Sequence, residues 1–292
     1  MQLPEIERLC GAVVPGAGKI EIKSLGAGLL SETYRVVRDG VAYTLKVAAE
    51  HPPDLGVDLP WEVRVLERAA SAGVAARLVF RDLKGAVLLS RWVDGHSWVS
   101  RESAVPANLE RIAALLRRVH ALAVPLPARS VTPLQWIGIY DAALLRRTST
   151  ASDSELRKAA LLRAQALEVP GAAGVVCHSD LHAMNLIEEN GSLLLLDWEY
   201  AHVTDPLWDL AGWCANNDFD AKIQRDLLTR YSGNAPNSSQ WQRFRLLLAL
   251  YDYVCLLWSQ LYLTVRGTAA DGLAQRVRLL DARLRLPAHY AA

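Results

Sequence analysis

Asp180 and Asn185 lie five residues apart in "VVCHSDLHAMNLI", residues 175–187, and Asp197 follows in "SLLLLDWEYA". Apolar pairs bound the first segment on both sides, so the polar residues sit on a loop between buried stretches. "GVVCH" and "SLLLLDW" read as short strands flanking that loop, with Asn190-Gly191 as a tight turn. A hairpin of this kind brings a carboxylate, an amide oxygen and a second carboxylate to one end. Two of the three groups suit a hard cation such as Mg²⁺. The third can take a proton from a substrate hydroxyl. Phosphoryl transfer asks for that combination, because the metal offsets phosphate charge while a carboxylate orients the nucleophile.

Such chemistry needs a second set of residues for the nucleotide. Lys46 stands in "YTLKVA" between Leu45 and Val47, so strand alternation turns it to the opposite face from both. Glu62, in the helical stretch that Pro60 opens, is its expected partner in preference to Glu67. Upstream, "SLGAGLLS" supplies Gly26, Gly28 and Ser31, and glycines there let backbone approach phosphate closely. His178 is read as a brace for the loop and His182 as a group able to approach phosphate. Cys177 is read as a small buried residue. In "DPLWDLA", Asp205 is expected to cap a helix with Pro206 in its first turn. Asp209, one turn on, supports the loop or faces substrate.

The elements that must carry these residues change type along the chain. Residues 20–48 alternate like strands around the Asp39-Gly40 turn, and "ARLVFRDLKGAVLLSRWV" adds two strands around Lys84-Gly85. One helix, "PWEVRVLERAASAG", lies between them and stops at Gly73. From about residue 96 helical periodicity dominates, as in "PANLERIAALLRRVHAL". The expectation is an α+β chain of two lobes. Residues 1–93 form a small sheet lobe with one main helix, residues 94–292 a larger, mainly helical lobe, and the hinge lies near 90–95.

Bulk properties exclude other classes. With 292 residues and 51% hydrophobic content the chain can bury a sizeable core. A net charge of +1 gives no general pull toward nucleic acid or a membrane surface. The start "MQLPEIERLCGAVV" lacks the basic and apolar regions of a signal peptide. Cys10, Cys177, Cys214 and Cys255 form no CxxC pair, which fits a reducing cytoplasm better than a disulfide framework or a zinc site. Residues 246–265 are long and apolar enough to mimic a membrane span, but Asp252 at its middle would be costly in lipid. A buried core helix is the expectation.

"HSDLHAMN", "LLLLDWEYA" and "DPLWDLA" together resemble the aminoglycoside phosphotransferase and choline kinase superfamily, which shares the protein-kinase-like fold. The Asp-Trp-Glu-Tyr run is closest to its choline and thiamine kinase branch. The resemblance implies Asp180 as catalytic base, Asn185 and Asp197 as Mg²⁺ ligands, and Lys46 on the α- and β-phosphates of ATP, held by Glu62. It puts adenine against the backbone of Leu89–Val93. Departures are Ser31 at the third position of the glycine loop and Asp197-Trp198-Glu199 where protein kinases carry Asp-Phe-Gly. No activation-segment signature follows, which argues against a protein substrate.

The acceptor implied is a small-molecule hydroxyl, with a cationic alcohol such as choline or thiamine favoured. Trp198, Tyr200, Trp208, Trp213, Tyr251 and Trp258 offer ring faces to a cation. Glu199, Asp209 or Asp252 would add charge, and Asp252 is expected to face the acceptor cleft. An aminoglycoside or sugar kinase is the alternative, and a pseudokinase kept for binding is the alternative of another class.

Overall fold

The computed structural model describes residues 3–27, 31–48, 55–84, 86–149, 153–167, 174–266, 271–286 and 290. Gly28 and the Gly85 of the expected Lys84-Gly85 turn lie outside the described residues.

The first lobe is an antiparallel sheet of β1 (Ile20–Ala27), β2 (Ser31–Arg38), β3 (Val41–Ala48), β4 (Leu78–Asp82) and β5 (Val87–Arg91), in the order β1-β2-β3-β5-β4. Asp39 and Gly40 both take positive φ in the β2–β3 turn, the conformation a tight hairpin needs. Helix α1 (Leu3–Val13), which the strand-centred reading of this lobe leaves out, buries Ile6 and Cys10. With Val14 they pack against Val36, Leu45, Val47 and Leu89 on one face of the sheet. Lys46 therefore points to the other face, as alternation requires. Helix α2 (Leu59–Ser71) covers that face. Asp58 caps it by accepting from the Trp61 amide, and Pro60 occupies its first turn.

The chain leaves this sheet after Arg91 and reaches a second one at β6 (His96–Ser97). β6 pairs with β8 (Leu186–Glu189), and β8 pairs with β9 (Ser192–Leu195). At the crossing Gly95 touches β8 so closely that a Cβ there would lie 2.2 Å from the Glu188 carbonyl oxygen. The loop hairpin also differs from the sequence reading. β8 and β9 form it, while β7 (Val175–Cys177) pairs instead with β10 (His202–Thr204). Three-residue strands give too short a pattern to reveal their partners.

Helices α3 (Ser100–Ser103), α4 (Pro106–His120), α5 (Pro133–Thr148), α6 (Ser154–Leu167), α7 (Leu207–Asn216), α8 (Ala221–Ser232), α9 (Ser238–Arg266) and α10 (Asp271–Leu284) complete the larger lobe. The apolar segment of residues 246–265 falls in α9, which contacts α5, α6, α7 and α10. Although α9 has the length and hydropathy of a membrane span, 72% of its most apolar window is buried within the protein. It is a core helix. The apolar face of α2, with Trp61, Val65 and Leu66, belongs to the same continuous core as this lobe. Trp61 also donates its indole N–H to the Ala201 carbonyl at 2.7 Å. One helix thus binds the small sheet to the helical body.

Gly95→Ala should cost about 2 kcal/mol by overpacking and lower Tm by roughly 4–8 °C. Gly138→Ala, on α5 where a Cβ meets nothing within 4 Å, should leave Tm unchanged or raise it slightly. Thermal denaturation of the two variants side by side checks both.

Candidate active site

Lys46 is the centre of the charged cluster. Its ammonium lies 3.1 Å from Glu62 on α2, 2.5 Å from Asp197 and 2.8 Å from Glu199. Glu67, the other candidate partner on α2, pairs with Arg81 at the surface. Burial works to lower the Lys46 pKa, but Asp197, Glu62 and Glu199 together hold it well above the ordinary value. Three acids share one ammonium, so the acids respond as well. Burial pushes Glu62 up against the pull of Lys46. It drives Glu199 to about 8, with Asp197 and Glu62 adding to the rise and Lys46 opposing it. An oxygen-rich site with surplus negative charge suits a hard divalent cation.

The loop carrying Asp180 is held from below. Buried Asp209, on α7, accepts the backbone amides of His178 at 2.9 Å and Ser179 at 2.7 Å. Those bonds secure Ser179 at φ +70°, a left-handed conformation costly for a non-glycine residue. His120 on α4 bonds the same carboxylate at 3.1 Å and reaches the Tyr231 hydroxyl with its other nitrogen. His120, Cys177 and Asp209 lie near enough to hold a metal. The donors already bound to Asp209 and His120 make the group a hydrogen-bonded foundation for the loop.

His178 braces the loop. Its Nε2 donates to the Leu196 carbonyl at 2.8 Å and its Nδ1 accepts the Asp180 amide at 3.3 Å. Burial lowers its pKa and keeps it neutral, as one donor and one acceptor require. The Asn185 carbonyl accepts the Leu196 amide, so residues 178, 185 and 196 tie the loop to the strand that ends at Asp197. Asn185 donates its amide N–H to the Asp180 carboxylate at 3.1 Å and backbone oxygen at 3.0 Å. Its side-chain oxygen remains for a cation. His182 Nε2 stands 3.4 Å from the Asp180 carboxylate. Burial tends to raise the Asp180 pKa, but the bond and charge of His182 hold it below the ordinary value. Asp180 is therefore an anion at neutral pH.

Two cavities meet at these residues. One, of about 340 Å³, runs between the sheets and is lined by Leu78, Leu88, Ser90, Val93, Ile187 and Leu195. Lys46 and Glu62 also reach it. The other, of about 540 Å³, opens into the helical lobe past Asp180. Ser31, Thr33, Asn185 and Asp197 line both. Such a shape takes a nucleoside-sized ligand on one side, a second small molecule on the other, and a transferred group between.

The model of the phosphotransferase enzyme family matches residues 21–247, which hold every residue of the junction. The chain belongs to that family.

This phosphotransferase shares its fold with solved kinases. A choline/ethanolamine kinase family protein from Mesorhizobium loti matches 99% of this chain over 97% of its own, with 21% identity and a TM-score of 0.78. The choline kinase LicA from Streptococcus pneumoniae matches 96% over 97%, at 21% identity and a TM-score of 0.79. A spectinomycin phosphotransferase matches 98% over 95%, at 14% identity and a TM-score of 0.65. No curated protein matches the chain.

The phosphotransferase cavity differs from the sequence reading at its acceptor end. Trp198 is buried, donates to the Leu195 carbonyl and stacks edge-on with His178; it borders the smaller cavity. Trp213 is wholly buried. Glu199 reaches the larger cavity but spends its carboxylate on Lys46, and Asp209 is committed to the loop. Asp252 does not line the cavity; it is 1% exposed and bonds Arg283 of α10 and Tyr290. Its partner comes from a helix 31 residues on, beyond the same-turn range that the sequence allows one to search. Tyr200, Trp208, Tyr251 and Trp258 do line the cavity. Trp136 and Tyr140 join them from α5, as do Thr33, His202, Asn216 and Arg276. The i, i+4 spacing in "WIGIY" could have marked Trp136 and Tyr140 as one helix face, but not which cavity that face meets.

Asp252→Asn removes the buried partner of half-buried Arg283, which keeps, among the described residues, only exposed Asp218 as a carboxylate partner at 3.7 Å, and should cost about 3 kcal/mol in unfolding free energy. The acceptor KM should change no more than the ATP KM. Denaturant unfolding and steady-state kinetics of one purified variant separate the two effects.

Proposed function

We propose that this phosphotransferase moves the γ-phosphate of ATP to a hydroxyl of a small molecule, with Mg²⁺ as cofactor. The observation that carries this reading is the shared wall of the two cavities. Asp197, Asn185, Ser31 and Thr33 stand between a lysine-bearing slot and a chamber that Asp180 faces. Among the solved structures of this fold, LicA holds AMP and the spectinomycin phosphotransferase holds ADP and spectinomycin.

Each residue has a role in that reading. Lys46 pairs with the α- and β-phosphates, positioned by Glu62. Adenine lies in the apolar slot against the backbone of Leu89–Val93. Gly26, at φ +116° and exposed, lets the β1–β2 backbone come close to phosphate. Ser31 and Thr33, alternate residues on one face of β2, offer hydroxyls at the junction. Asp197 and Asn185 hold the Mg²⁺, whose part is to offset the phosphate charge. The surplus of carboxylate around Lys46 and the unspent Asn185 oxygen fit that ion. Asp180, ionised and aimed by Asn185 and His182, orients the acceptor hydroxyl and takes its proton as the phosphoryl group leaves ATP. With base, lysine and ligand residues assembled, a binding-only pseudokinase is the weaker reading.

A cationic alcohol such as choline or thiamine is favoured by the aromatic wall of the larger cavity, where ring faces can hold a desolvated monocation for about 2 kcal/mol. A polycationic aminoglycoside finds less there, because Glu199, Asp209 and Asp252 are all engaged elsewhere.

The test is ADP release across a panel of alcohols, preceded by thermal shift with ATP and Mg²⁺. Asp180→Asn should lose at least about 10²-fold in kcat while its ATP-induced thermal shift stays as in the parent. Near-normal turnover would remove Asp180 from the mechanism. Asp197→Ala should lose Mg²⁺-supported ATP binding and keep the weaker Mg²⁺-free binding. Equal losses would give Asp197 a structural role only.

A further inference from the structure

The acceptor chamber holds a cation besides the acids at its mouth toward Lys46. Arg276, on α10, lines the same cavity as Asp180. The other paired arginines of that helix and its end are spent on carboxylates: Arg283 on Asp252, and Arg285 on Asp281 and Asp153. Among the described residues no carboxylate lies within ion-pair distance of Arg276. Its Nη2 donates to the Asn216 side-chain oxygen at 3.2 Å, and its guanidinium lies against the Cys255 thiol. A guanidinium has five N–H donors in a planar fork, so an amide oxygen and a thiol leave most of that fork unused.

The surroundings sharpen the polarity. Three acids that could have neutralised this end are engaged elsewhere: Glu199 with Lys46, Asp209 with the loop amides, Asp252 with Arg283 and Tyr290. The same cavity is lined by the rings of Tyr251, Trp208 and Trp258. The chamber thus holds an anion where the hydroxyl reacts, ring faces, and a guanidinium whose charge is felt at Asp180 and helps keep its pKa low. A planar carboxylate is the group an arginine fork matches best, through two parallel N–H···O bonds.

We propose that Arg276 is a specificity residue that binds a carboxylate on the acceptor, so that the preferred substrate is a hydroxy acid with an apolar or zwitterionic body. This rests on the kinase reading above but departs from its choline-type acceptor: the ring faces still take a cation, and Arg276 asks for a carboxylate on the same molecule. A zwitterion places its ammonium against the ring faces and its carboxylate on Arg276. Simple choline gains the rings but meets the guanidinium without an anion to offer it. Asn216, on the same cavity wall, holds one N–H of the guanidinium, which preorganises the fork and lowers the entropy lost on binding.

The experiment is ADP release by the full chain with hydroxy acids of increasing chain length, each beside its methyl ester, and with choline, thiamine and glucose. A free hydroxy acid should be the preferred acceptor, with a KM about 10- to 100-fold below that of its ester. Arg276→Ala should raise the KM for the acid by a similar factor while the KM for the ester and for ATP moves less than about twofold. Arg276→Lys should recover part of the loss. Equal KM values for acid and ester in the parent would overturn the assignment. So would an Arg276→Ala loss shared by acid and ester, which would make Arg276 a support for Asp180 or the fold, and so would a preference for choline, thiamine or glucose. Thermal shift by the hydroxy acids alone separates this proposal from the kinase reading. Stabilisation that depends on Arg276, with no ADP release from any alcohol, would keep the carboxylate site and sink the kinase. ADP release with only the cationic or neutral alcohols would keep the kinase and sink the carboxylate site.

Discussion

Among the described residues, the ammonium of Lys46 is the cation on which three segments converge. β3 carries it, α2 brings Glu62, and the segment after β9 brings Asp197 and Glu199. A largely buried ammonium without partners would be costly, and so would the buried carboxylates of Glu62 and Glu199 without a cation. The small sheet, α2 and the catalytic lobe must therefore meet in one arrangement. Such a cluster contributes little net stability, because desolvation offsets the attraction. It specifies geometry. The apolar contacts of α2 and the Trp61–Ala201 bond supply the holding force, and the ions select the register at which it acts.

A second polar system, independent of the first, sets the catalytic loop. Asp209 occupies the base of the loop and binds two successive amides, which keeps Ser179 in a conformation it would otherwise avoid. From there a chain of backbone and imidazole bonds runs through His178, Asn185 and Leu196 to Asp197. Asp180 and Asp197 are thereby fixed to each other through the main chain. Side-chain freedom contributes little to their spacing, which favours a preorganised site.

The commitment of acids to these two systems shapes the acceptor chamber. Each carboxylate used to hold Lys46, the loop or α10 has its charge committed within the protein. The larger cavity is lined besides by aromatic surface and by the guanidinium of Arg276. Specificity in such a chamber arises from which charges the fold consumes as much as from which it presents.

The sequence by itself determined the family-level chemistry, phosphoryl transfer, and the order along the chain of the polar residues that meet at the junction. Asp180, Asn185 and Asp197 are close in sequence on one loop and hairpin, Lys46 is set by strand alternation, and Glu62 lies one turn from the Pro60 helix start. All depend on short-range periodicity, which a single chain displays openly. Bilobal character and the core placement of α9 were legible for the same reason: strand and helix periods change near the crossing, and Asp252 marks α9 as unsuited to lipid. Tertiary structure alone decided the rest. It put α1 on the sheet, paired β7 with β10 across 25 residues, and brought Trp136, Tyr140 and Arg276 into one cavity from α5 and α10. It also gave Asp252 to Arg283 and Glu199 to Lys46. A charge's partner depends on which helix packs beside it, and packing is settled by the burial of apolar faces over the whole core. No local spacing encodes that choice, so the acids that the sequence offered to the acceptor were the ones the fold had already used.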